Sequence, residues 1–163
     1  MSIFKRAEIT ARKFLKMNNL TTPIDLEKAA QILGVKIAYV SFEGQGALVY
    51  NDNFNSDKKL IIVSANQTRE QLRFNIAHEL AHILLKHCNT ILQTHPEEDK
   101  PNYEKEANIC ASELLIPRNK VKQAFYKYSG DIKKLKNHFQ VSEQAMVTKM
   151  EILNLPYENT FYN

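Results

Sequence analysis

Apolar residues at Ile3, Ala7, Phe14 and Leu15 share one helical face and predict a helix from Ser2 to about Met17. Asn18, Asn19, Thr21, Thr22 and Pro23 then stop it. Asp25 can cap a short second helix whose apolar face is Leu26, Ala29, Ala30 and Leu33, with Gly34 as its C-terminal stop. The pattern then becomes strand-like over Val35 to Phe42, Ala47 to Tyr50 and Leu60 to Val63. Between the last two, Asn51, Asp52, Asn53, Asn55, Ser56 and Asp57 read as a hairpin loop. Thr68 and Gln71 form a capping box at the start of a helix that runs to about His87. Leu72, Phe74, Ile76, Ala77, Leu80, Ala81, Ile83, Leu84 and Leu85 make that helix apolar nearly all round, which marks it as buried. The stretch from Asn89 to Asn102, with Pro96, Pro101 and the acidic Glu97, Glu98 and Asp99, is the expected exposed loop. A helical pattern returns from Tyr103 to Leu115 and stops at Pro117, and at least two more helices follow around Ser129, Gly130 and Val141. The fold class is α+β: a small sheet of about three strands packed with helices.

Composition adds compartment and size. The 163 residues, 44% hydrophobic and 25% charged, suit a single globular domain and exclude a disordered or fibrous chain. Cys88 and Cys110 cannot build a disulfide framework and fit a reducing compartment. Lys5, Arg6, Glu8, Arg12 and Lys13 interrupt the N-terminal segment, so it does not read as an export signal, and no window is apolar enough to span a bilayer. A cytoplasmic location is expected. The net charge of +4 arises wholly after residue 116: residues 1–116 hold 14 basic and 14 acidic side chains, residues 117–163 hold 8 and 4. Leu135, Phe139, Val141, Ser142, Ala145 and Met146 have helix-turn-helix spacing, yet the second helix offers only Lys149 against Glu143 and Glu151, a poor match for phosphate. No direct nucleic-acid contact is expected. The basic excess suits a solvated exterior, or an acidic face of a protein partner.

The chemistry lies inside the buried helix, at His78, Glu79, Leu80, Ala81 and His82. Ionisable side chains there are costly unless they are paired or bind metal. Residues four apart return to nearly the same helical face, so both imidazoles can reach one ion, and Glu79 lies one step round, within reach of a water on it. This is the His-Glu-x-x-His arrangement of zinc peptidases. A third ligand is needed. The metzincin extension fails, because Leu85 and Cys88 stand where a Gly and a His are required; Cys88 reads as a small buried apolar residue. His87 is expected to point off the metal face and mark the helix end. The following helix offers Glu104, Glu106 and Glu113. Glu104 is favoured, because Ala107, Asn108 and Ala111 on its face allow close helix approach; Asn108 can support a metal-bound histidine. Glu106 and Glu113 are expected to solvate another face. Two histidines and a carboxylate suit Zn²⁺, and also Mn²⁺ or Fe²⁺.

These residues resemble the ImmA/IrrE-type metallopeptidases. Gly46 to Tyr50, Lys59 to Val63 and Arg73 to His82 follow that family's strand, strand and motif-helix order. Its second signature is matched by Glu104, Lys105, Glu106, Ala107 and Asn108, followed by Ala111 to Pro117; Ala81 and Cys110 depart from the usual Gly and Phe. The resemblance implies a gluzincin-like peptidase with a zincin-like core: His78, His82 and Glu104 as Zn²⁺ ligands, Glu79 as catalytic base, and a helical C-terminal part. Residues 1–163 then form one metallopeptidase domain: N-terminal helices and first strand over 1–45, the metal-site core over 46–117, C-terminal helices over 118–163. Family members often come from phages, mobile elements or stress-response loci, where they cleave or antagonise a helix-turn-helix repressor. The implied partner is therefore a protein substrate of that kind. The alternative is a metal-stabilised module that sequesters the repressor without proteolysis. Lys59 to Val63 is the expected strand edge for substrate. Tyr50, Tyr103, Tyr126, Tyr128 and His138 are candidates for an oxyanion donor, and none is preferred.

Overall fold

A computed structural model describes residues 3–43, 47–51, 59–87 and 100–157. Its elements run α1 (Ile3–Met17), α2 (Leu26–Ile32), β1 (Val35–Val40), β2 (Ala47–Asn51), β3 (Lys59–Ser64), α3 (Arg69–Leu85), α4 (Lys100–Leu115), α5 (Arg118–Tyr128), α6 (Ile132–Phe139) and α7 (Glu143–Ile152). This is a helix-rich α+β fold. Helix α4 starts at Lys100, ahead of the expected Tyr103, because Pro101 falls in the first turn, where its missing N–H costs nothing. Cys88, Gly46 and most of the two expected loops, residues 52–57 and 89–99, lie outside the described residues.

Local chemistry sets the helix ends. Asp25, Thr68, Asp131 and Ser142 each accept a hydrogen bond from a backbone N–H in the first turn of α2, α3, α6 and α7. At Thr68 the Gln71 side chain returns the bond, completing the expected capping box.

The sheet order is β1-β3-β2. Strand β1 runs parallel to β3, with Val35 opposite Lys59 and Val40 opposite Ser64. Strand β2 is antiparallel to β3, with Ala47 opposite Val63 and Asn51 opposite Lys59. This corrects the expectation that Lys59 to Val63 offers an edge: β3 is the central strand and both of its sides are paired. The edges are β1, beside α2, and β2, beside α3. Ile61 and Val63 are fully buried while Leu60 and Ile62 are half-buried, so one face of the sheet closes against the helices.

Helix α4 packs along both α3 and α1. Ala77 and Ala81 on α3, Ala107 and Ala111 on α4, and Ala7 and Ala11 on α1 are all fully buried, and side chains this small let the helices approach closely. The Ala81 departure from the usual Gly is accommodated in this packing. No helix among the described residues is long and apolar enough to cross a membrane.

Candidate metal centre

The α3–α4 contact brings together side chains that are 26 residues apart in sequence. His78 Nε2 lies 3.0 Å from His82 Nε2 and 3.1 Å from Glu104 Oε2, and His82 Nε2 lies 3.4 Å from Glu104 Oε1. The other ring nitrogen of each histidine is backed from outside. His78 Nδ1 is 3.0 Å from Asn108 Oδ1, one turn beyond Glu104 on α4. His82 Nδ1 is 3.0 Å from His87 Nδ1.

These partners assign the protons. An amide oxygen only accepts, so His78 donates from Nδ1 and keeps a lone pair on Nε2. A proton on His82 Nδ1, donated to His87, leaves that Nε2 proton-free as well. Two imidazole lone pairs and a carboxylate then face one another at contact distance, which is repulsive unless a cation joins them. Zinc–nitrogen bonds of about 2.0–2.1 Å at tetrahedral angles hold ligand atoms about 3.3 Å apart. The observed separations of 3.0 to 3.4 Å fit that requirement. The His78 and His82 side chains are 16% and 13% exposed and that of Glu104 is 60%, so the cluster opens to solvent on its α4 side, as a site admitting water and substrate requires.

Glu79, adjacent to His78 on α3, is half-buried. Burial pushes its carboxyl up to about 7, and the nearby charge of Glu104 adds to the shift. Beside the cluster, along the same groove, is a cavity of about 380 Å³ walled by Phe74, Leu115, Ile116, Val141 and Ala145, with Asn75 and Ser112 as polar groups. The Phe74 ring is 6.2 Å from that of His78.

Other expectations change here. Glu106 and Glu113 do not solvate an outer face: both are buried. Glu106 Oε2 is 3.4 Å from His87 Nε2, and Glu113 is held by Lys149 Nζ at 2.6 Å and by Arg12 Nη1 at 3.3 Å. His87 does not point away from the metal face. It is buried and turns back on His82. A helical wheel missed this because His87 lies just past the last helical residue, where the chain reverses. Of the tyrosine and histidine candidates, Tyr103 stacks near His87, with ring centroids 4.6 Å apart. Tyr128 and His138 pair with each other at 3.3 Å, and Tyr126 is 79% exposed. The Tyr50 side chain lies outside the described residues.

The peptidase family described as the IrrE N-terminal-like domain matches residues 30–151. The chain belongs to that family. In this IrrE-like chain the match covers the sheet, the paired helices α3 and α4 with their His-His-Glu cluster, and α5 and α6. No curated protein sequence matches it. A solved Mycobacterium tuberculosis transcriptional regulator is similar in structure, with a TM-score of 0.68 at 17% identity over 90% of the chain. That likeness shows a shared fold, and the chain spans 46% of the regulator's length.

Proposed function

We propose that the chain is a zinc-dependent endopeptidase with a zincin-like core, and that its substrate is a helix-turn-helix repressor. The observation that carries the reading is the convergence of three proton-free donor atoms from His78, His82 and Glu104, with the Glu79 carboxylate one residue away on the same helix. A peptidase family and a structural neighbour that is itself a transcriptional regulator support a regulatory protein as the target.

A divalent ion in this site supplies Lewis acidity, which acidifies a bound water and polarises a peptide carbonyl. His78 and His82 hold their Nε2 atoms toward it, each ring oriented from behind through Nδ1. Glu79 takes the proton of the attacking water at its carboxylate and delivers it to the leaving amine nitrogen. The substrate lies extended along β2, the sheet edge that packs beside α3. An apolar substrate side chain enters the cavity walled by Phe74, Leu115 and Val141.

The test uses the zinc-loaded chain with the helix-turn-helix repressor encoded nearest to its gene. Mass spectrometry is expected to find two repressor fragments, none with a zinc chelator present and none with Glu79→Gln. The reading is overturned if the repressor stays intact while Glu79→Gln relieves repression in cells as fully as the unaltered protein.

A further inference from the structure

His87 and Glu106 belong to no ligand set, yet both are buried beside the metal group, with side chains only 4% and 9% exposed. We propose that they form a relay that fixes the tautomer of His82 and thereby sets the metal affinity of the site. They are positioning residues, and the inference rests on reading His78, His82 and Glu104 as the ligands.

Backbone geometry delivers His87. Lys86, the C-cap of α3, has φ 58°, a left-handed conformation that reverses the chain. The His87 N–H then donates to the His82 carbonyl at 3.0 Å, which folds the His87 ring against His82. From the other side, Tyr103 and Glu106, three residues apart on α4, close on the same ring.

Proton accounting gives the relay its direction. The Nδ1 atoms of His82 and His87 are 3.0 Å apart and share one proton between them. An ionised carboxylate only accepts, so Glu106 Oε2, 3.4 Å from His87 Nε2, favours a proton on that nitrogen. His87 Nδ1 is then a lone pair and must accept from His82. That places the His82 proton on Nδ1 and leaves Nε2 free for a metal. His78 obtains the same result in one step from Asn108. For His82 the acceptor is two bonds away, and its charge is shielded inside the α3–α4 contact. A single deletion in this line lets His82 adopt the opposite tautomer, with a proton on the ligating nitrogen.

The test measures zinc affinity by chelator competition in Glu106→Gln and His87→Phe. Gln keeps the size of Glu but can present a donor or an acceptor, so it fixes no tautomer. Phe keeps the ring without its nitrogens. Each variant is expected to bind zinc about 10–100-fold more weakly. Nitrogen-15 NMR of the metal-free protein supplies a readout that general destabilisation does not move: His82 is expected as the Nδ1–H tautomer in the unaltered chain and as a mixture in Glu106→Gln. The relay is refuted if both tautomer and affinity are unchanged in folded Glu106→Gln, with affinity within about threefold. If the unaltered chain binds no zinc, the metal reading falls and the tautomer result alone decides the relay. If His87→Phe does not fold, Glu106→Gln carries the test.

Discussion

Cys110 and Glu79 show burial acting on two acids with opposite consequences. Cys110 is fully buried on α4, and burial, reinforced by the charge of Glu113, pushes its thiol up to about 12. The thiolate is the reactive form, so Cys110 is expected to resist iodoacetamide at pH 8 in the native protein and to react fully in denaturant. Peptide mapping by mass spectrometry separates its signal from that of Cys88. Glu79 is only half-buried and sits beside groups it can serve. Glu79→Gln preserves shape but cannot accept a proton, so it is expected to lower cleavage by about 10²–10⁴-fold. Its zinc content, read by elemental analysis, should stay at that of the unaltered chain, because Glu79 is not among the three converging donors.

Helix α4 carries the site on one flank and an ionic tie on another. Glu113 accepts from Lys149 on α7, from Arg12 on α1 and from the Arg118 backbone N–H at the start of α5. Breaking such a buried group on one side leaves charge without compensation. Lys149→Met is expected to cost about 3–5 kcal/mol in urea unfolding, and combining it with Glu113→Leu should cost less than the two single losses added. Neither partner of Glu113 was legible in the sequence. A helical wheel shows which residues share a face, not which distant element covers it, so Glu106 and Glu113 read as solvated. The same limit hid the strand order: Leu48 to Tyr50 and Leu60 to Val63 are equally apolar runs, and pairing on both sides of β3 is a property of the assembled sheet. What was legible was local. His78 and His82 are four residues apart, and Thr68 and Gln71 three apart, so helix geometry alone relates them. Glu104 became legible through Ala107 and Ala111, whose small size is a trace of the contact they permit.

Across the whole molecule, the metal group joins α3 to α4, and α4 in turn joins the N-terminal helix to the C-terminal ones. An ion held by His78 and His82 on one helix and Glu104 on the other is therefore a cross-link through the centre of the fold. A ligand that binds only the folded chain stabilises it by mass action, about 4 kcal/mol at a free concentration 1,000 times its Kd. For a chain of this size each kcal/mol raises Tm by roughly 2–4 °C, so saturating zinc is expected to raise it by roughly 8–16 °C, and a chelator should return it to the metal-free value. Glu104→Ala removes one anchor of the cross-link and should abolish most of the rise, whereas Glu79→Gln should keep all of it. Calorimetry of the three proteins with and without zinc checks this. An equal rise in Glu104→Ala would place the ion elsewhere, and no rise in the unaltered chain would remove the metal from the account of its stability.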